Sequence, residues 1–369
     1  MKNCSLKIIV FLTLVFAIST QKVSSQIDTV SLCSIKLKGM IKSVSEVTFS
    51  AKDSIGVIVK DEYLSEDWNL KADSKQSKTN FIYEFDKNSR NTRKVILPQK
   101  LSSNSITDFK YNSGLLVESL ETMVFSDATI PIKKIYKYDP KKNLTAIYTY
   151  RFDELLRKKM FKYDLKNNLI ENIEIDKNGD IDSRTNYSYE NNKKTFEKEL
   201  SDNSIDEKRF KYNSDGNLIY ESFKWGKKEP GENDILFETN YFYDNNQVTQ
   251  KKQLRDEIET WKESFEYLNE KLSKESKIFK QDSSTFITKS YKYNLDGSVV
   301  IETIEKDKKI TEEYDKDKNP LRLFYSFNDG KIEEYMYQYS FDKNSNWTEI
   351  IEFKNTVPLR IRIRKIAYY

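Results

Sequence analysis

No histidine occurs among the 369 residues. That removes Ser–His and Cys–His nucleophile pairs, the commonest general acid–base group and nearly all usual zinc sites. Of the two cysteines, Cys4 lies in a segment expected to be cleaved, so Cys33 is the only thiol expected in the mature chain. It has no disulfide partner and is expected to be structural or incidental. Bulky Leu32 before it argues against lipidation. Glycoside hydrolysis needs only two carboxyl groups facing each other, but the 58 acids are spread evenly and no spacing singles out a pair. The stretch Asp176-Lys-Asn178-Gly-Asp180-Ile-Asp182 resembles the start of a calcium loop. It has Ile181 and Tyr187 where an EF-hand needs Gly and Glu, so a hairpin turn at Asn178-Gly179 is the better account. No glycine-rich phosphate loop is present. No catalytic, metal or cofactor-binding residue, and no cofactor, is therefore expected. Among the aromatic residues, Trp68, Trp225, Trp261 and Trp347 follow no common repeat position, which makes them the better candidates for ligand contact.

The elements that would position such residues come from a repeat. Aromatic-x-aromatic followed by Asp or Asn recurs, as in Phe109-Lys-Tyr111-Asn112, Tyr136-Lys-Tyr138-Asp139 and Phe161-Lys-Tyr163-Asp164. Further copies are Phe210-Lys-Tyr212-Asn213, Tyr241-Phe-Tyr243-Asp244 and Tyr291-Lys-Tyr293-Asn294. Counting degenerate copies, eleven sites run from Tyr83 to Phe341, their second aromatics 21–31 residues apart. A period in this range signals a structural array. Aromatics two residues apart share one face of a strand. The Asp or Asn that follows starts a turn by bonding backbone just ahead of it, which is the role expected for Asp139, Asp164 and Asp244. An apolar residue then restarts a strand: Leu144, Leu169, Leu218, Val299, Trp347. The expected fold is all-β, an elongated or curved antiparallel meander or solenoid of tandem ~26-residue hairpins, a unit length within the range of repeat proteins.

The N-terminus sets the expected compartment. Lys2 and Lys7 precede the apolar run Ile8 to Ile18, too short to span a bilayer, which needs about 20 residues. Val23 and Ser25 then sit where a signal peptidase would read them. The expected organisation is a signal peptide at 1–25, an N-terminal cap with first degenerate strands at 26–79, and the repeat array at 80–369. The first strand is expected near Met40 to Ser50. The mature chain is expected in the periplasm, at the outer-membrane surface or outside the cell, with no transmembrane segment. Loss of the three lysines in residues 1–25 lowers the formal net charge from +4 to +1, so nucleic-acid binding is disfavoured. The locally basic Arg360-Ile-Arg-Ile-Arg-Lys365 reads as one solvated strand face.

Tyr212-Asn-Ser-Asp-Gly-Asn-Leu218, a Tyr-x-Tyr core running into a Gly-Asn-Leu turn, resembles the YD repeats of the Rhs and teneurin family. The resemblance covers about residues 80–369. Lys36-Leu-Lys-Gly39-Met-Ile-Lys-Ser-Val44 and the ending Tyr339 to Thr348 look like small exported YD-repeat proteins of Bacteroidetes. The resemblance implies a β-sheet architecture, and it brings two functional ideas: a shell around a C-terminal toxin, and carbohydrate binding. Only Glu352 to Tyr369 follows the last repeat, so no toxin domain is expected here. The expected function is non-catalytic: a sheet surface that binds an envelope protein or polysaccharide. The alternatives are a polysaccharide-acting hydrolase using an Asp/Glu pair and an accessory shell for a separately encoded toxin.

Overall fold

A computed structural model describes residue 31 and residues 35–63, 80–97, 104–202, 204–227, 234–280 and 286–369. The expected signal peptide, Cys33 and Trp68 lie outside these residues. All regular structure among them is β: 25 antiparallel strands joined mostly by short turns. The described residues fall into two compact units. One is Lys159–Glu333; the other joins the described residues up to Lys158 with Glu334–Tyr369.

Each repeat is a hairpin with a fixed inner grammar. The first aromatic is buried at Phe109, Tyr136, Phe161, Phe265 and Tyr291 and half-buried at Tyr187, Phe210 and Tyr241. The second sits two residues on, and in five repeats its hydroxyl reaches back to the preceding hairpin. Tyr111 donates to the carbonyl of Asn91 at 2.8 Å, Tyr138 to Leu116 at 2.8 Å and Tyr212 to Lys194 at 2.9 Å. Tyr243 and Tyr267 do the same to Leu218 and Val248. Burial pushes the phenols of Tyr111, Tyr138 and Tyr212 up to about 12, so they remain donors at any physiological pH. This bond explains why the second position prefers Tyr to Phe. Tyr138→Phe is expected to cost about 1 kcal/mol, the usual worth of one such bond, with no change in circular dichroism. A urea midpoint equal to that of the wild type would contradict it.

A β-bulge lies at the same place in nine of the repeats, though not in that of Tyr291. The register slips beside the second aromatic, leaving Thr145, Thr195, Thr249, Ser273 and Thr348 as extra residues on the returning strand. Each donates its hydroxyl to a carbonyl across the hairpin, for example Thr145 to Lys137 at 3.2 Å and Ser273 to Glu266 at 3.0 Å. Bulges bend the strand and increase its twist, so a bulge in each of many repeats curls the sheet progressively.

The open meander or solenoid expected from sequence is corrected by the register of the end strands. Ile41–Ser54, the first strand, pairs antiparallel with the last, Val357–Tyr368, over nine residue pairs, and on its other side with Phe81–Phe85. Consecutive strands pair from there onward within a single sheet. The ladder therefore closes on itself in a barrel topology, with Val57–Tyr63 as a side hairpin on the first strand. An open ladder would leave two free rows of backbone donors and acceptors at its edges, and closure removes them.

The closing strands also correct the reading of Arg360 to Lys365. Arg360, Arg362 and Arg364 point away from solvent. Arg362 and Arg364 both bond Glu46, whose side chain is 3% exposed, and Arg360 bonds Glu352. Next to them Val44 and Tyr83 form a core with Ile41, Phe81 and Phe85. In the other unit Phe265, Tyr291, Val248, Leu272, Val299 and Ile301 form a second core.

Candidate functional site: an aromatic and cationic patch

Asp and Asn at the repeat turns are occupied structurally. In the five-residue turn Asp139–Asn143 the Asp139 carboxylate accepts the Asn143 backbone N–H at 2.8 Å and its side-chain amide at 3.0 Å. Asp164 does the same with Asn168, and Asp315 with Asn319. Burial opposes ionisation of Asp164, but hydrogen bonds from Asn168 and Lys166 outweigh it and hold its carboxyl below the usual range. The fourth residue of each such turn has a positive φ, filled by Gly216 and Gly297 but also by Lys142, Asn167 and Lys318. Asp176–Asp180 is another of these turns. Its carboxylate accepts the N–H groups of Asn178 and Asp180, and Gly179 takes the positive φ, so the hairpin reading of this segment holds.

Asp244 departs from its expected role. It ends Ile235–Asp244 ahead of a two-residue turn in which Asn245 and Asn246 both have positive φ, as a type I′ turn requires. Such a turn is closed by the backbone alone, and no capping bond from Asp244 occurs among the described residues. A hollow of about 250 Å³ at the Asp164–Asn168 turn, lined also by Tyr189 and Asn192, is smaller than usual ligand pockets of about 300–1,000 Å³.

A different group of side chains in Lys159–Glu333 has no part in the turns. Phe223 lies opposite Phe237, Phe237 opposite Arg255, and Trp225 opposite Ile235. One strand further, Trp261 lies opposite Gln253 on one side and Phe279 on the other. Cross-strand partners share a face, so these rings form one patch across five adjacent strands. None of them occupies a Tyr-x-Tyr position. Four of these rings carry a cation: Lys277 Nζ is 4.0 Å from the Trp261 ring centre and 5.3 Å from that of Phe279. Arg255 stands over Phe237 and Lys208 over Phe223, each at 5.8 Å. Trp225 is 36% exposed.

Opposite Trp225 sits Asp206. Burial raises its pKa against the pull of Lys208, and its buried Oδ1 has no hydrogen-bond partner. Flat rings with cations above them are what a hydroxylated ring needs: rings stack on its C–H face, and polar groups beside them bond its hydroxyls. Trp225 and Trp261, singled out from sequence, both lie on this face. Phe223, Phe237, Phe279 and Asp206 were missed, although Phe223 and Trp225 are two residues apart, a spacing that marks a shared strand face. Trp347 lies in the other unit, its ring 3.5 Å from the Arg364 guanidinium.

A family model described only as "Uncharacterised protein" matches residues 52–228, less than half of the chain. No curated protein matches. Among solved structures, a TcdB2-TccC3-TEV crystal structure is similar at 11% identity and a TM-score of 0.28 over 77% of this chain. The Tc holotoxin pore of Photorhabdus luminescens is similar at 9% identity and a TM-score of 0.23 over 86%. The chain spans 19% of the first and 25% of the second. A porin-like protein from Bacteroides uniformis is similar at 10% identity and a TM-score of 0.22, over 89% of this chain and 96% of that one. These scores are too low to carry an argument about fold or activity. No helix among the described residues is long and apolar enough to cross a membrane, which says nothing of strands.

Proposed function

We propose that this chain is an exported, non-catalytic YD-repeat protein that binds an envelope polysaccharide through the patch around Trp225, Trp261 and Asp206. The observation that carries this reading is the placing of cations on four half-buried rings that share a face with the exposed Trp225. A Lys277–Trp261 contact at 4.0 Å holds the indole in place, and the exposed Trp225 ring offers a stacking surface. Asp206 flanks the stacking ring from the neighbouring strand, and Arg255, over Phe237, favours sugars that carry acidic substituents.

The test is binding of purified mature protein to fractionated envelope glycans by calorimetry. Trp225→Ala and Trp261→Ala are each expected to weaken binding by roughly 5- to 30-fold, equivalent to about 1–2 kcal/mol of ring stacking and cation–π contact. Thermal unfolding of both variants serves as the folding control. A stoichiometric protein partner, recovered in place of glycan and retained by both variants, overturns the reading. Release of reducing ends, lost on one carboxylate-to-amide change, would replace it with a hydrolase.

A further inference from the structure

The turn at Asp164–Asn168 holds two polar groups without partners among the described residues. Asn168 is 3% exposed. Its Nδ2 donates to Asp164 at 2.9 Å and to Asn192 at 3.3 Å, but its buried Oδ1 has no hydrogen-bond partner. Tyr189 is the second aromatic of the next repeat. Its counterpart Tyr243 donates to the carbonyl of Leu218, the residue that follows the turn asparagine Asn217. The hydroxyl of Tyr189 makes no such bond to Leu169, nor to any other described residue. Burial and the charge of Asp164 push it up to about 12, so it stays a donor. Asn168 and Tyr189 both line the hollow of about 250 Å³ at this turn. One water takes up about 30 Å³, so a single water does not fill it.

The same turn position elsewhere in the chain shows what such a carboxamide recognises. Asn346 closes the turn Asp342–Asn346 as Asn168 closes its own, its backbone N–H bonding the turn aspartate. The Asn346 Oδ1 accepts the backbone N–H of Lys38 at 2.7 Å, and its Nδ2 donates to the Lys38 carbonyl at 2.8 Å. A turn asparagine of this chain therefore reads an N–H and a carbonyl side by side. At Asn168 the Oδ1 is open, and the Tyr189 hydroxyl supplies the second donor. Asp164 and Lys166 in the lining cancel in charge, and Leu165, 94% exposed, adds an apolar edge. An uncharged group with one N–H, one carbonyl and an apolar cap matches that lining. We propose that the hollow binds the acetamido group of an N-acetylated amino sugar. The amide N–H donates to Asn168 Oδ1, the amide carbonyl accepts from Tyr189, and the methyl group lies against Leu165. A small hollow suits a side group of a sugar better than a peptide chain, which must both enter and leave. The site shares no residue with the aromatic patch and does not depend on the reading of that patch.

The experiment titrates the mature protein with methyl N-acetylglucosaminide and with methyl glucoside, which carries a hydroxyl in place of the acetamido group, and follows binding by NMR. The N-acetyl sugar is expected to bind roughly tenfold more tightly, the worth of its two amide hydrogen bonds. Tyr189→Phe is expected to weaken that binding roughly fivefold, the worth of one neutral bond. Its Tm should not change, because the lost hydroxyl bonds no described residue of the free protein. Trp225→Ala is expected to leave the binding intact, which separates this site from the aromatic patch. Equal binding of the two glycosides overturns the proposal, as does full affinity in Tyr189→Phe. So does loss of binding in Trp225→Ala, which would seat the sugar on the patch. Tighter binding of N-acetylalanine methylamide, a stand-in for a peptide, overturns it in favour of a peptide ligand. Crystals soaked in the N-acetyl sugar that show only water beside Asn168 overturn it too.

Discussion

Glu46→Gln is expected to destabilise the protein by about 3–5 kcal/mol, the usual cost of breaking a buried ion pair by removing one partner. The amide keeps the size of the side chain and some hydrogen bonding to Arg362 and Arg364, but takes away the carboxylate that those two arginines share. Two buried positive charges then face each other where the first strand meets the last. The loss should appear as a large fall in the urea midpoint. Hydrogen exchange should rise first in Ile41–Ser54 and Val357–Tyr368. Adding Arg364→Met to Glu46→Gln should restore part of the stability, because it removes one of the two stranded charges. A loss below about 1 kcal/mol for Glu46→Gln would mean that the closing strands are held by backbone pairing and the Val44–Tyr83 core alone.

Closure was not legible in the sequence, and the reason is physical. Glu46 and Arg362 are 316 residues apart, and a pairing between chain ends leaves no local periodicity. The alternation in Arg360-Ile-Arg-Ile-Arg is the same whether the arginines face water or a buried acid. Composition could not choose between them. The hairpins were legible, because two-residue alternation and the Asp or Asn turn are both local. The bulges were half legible: Leu144-Thr145, Val248-Thr249, Leu272-Ser273 and Trp347-Thr348 repeat an apolar residue followed by a hydroxyl. That hydroxyl makes sense only once the register slip beside the second aromatic is known. In the same way, the aromatic pair predicted a core face but not the back-bond of the second Tyr, whose acceptor lies some twenty residues earlier. The patch around Trp261 was legible only as tryptophans off the repeat register, since its other members come from neighbouring strands.

The repeat grammar makes a sharp prediction at Tyr241-Phe242-Tyr243 and Phe265. Phe265 is a first aromatic, 4% exposed, packed with Val248, Leu272 and Tyr291 and covered by Lys251 at 4.9 Å. Phe265→Ala removes a ring from a core in which neighbours on three strands cannot collapse together. It is expected to cost about 3–5 kcal/mol. Phe242 is equally aromatic and equally apolar, but it sits between the two tyrosines and so on the opposite face, 44% exposed, with Lys252 at 5.5 Å from its ring. Phe242→Ala should cost less than about 1 kcal/mol, the range of a surface change with a weak cation–π contact. Matched denaturation curves measure both. The ratio of the two losses matters more than either value, because composition alone predicts equal losses and two-residue alternation predicts a several-fold difference. Equal losses would mean that the aromatic pairs do not define a single buried face, and the back-bonds from Tyr243 and Tyr267 would then lose their structural rationale as well.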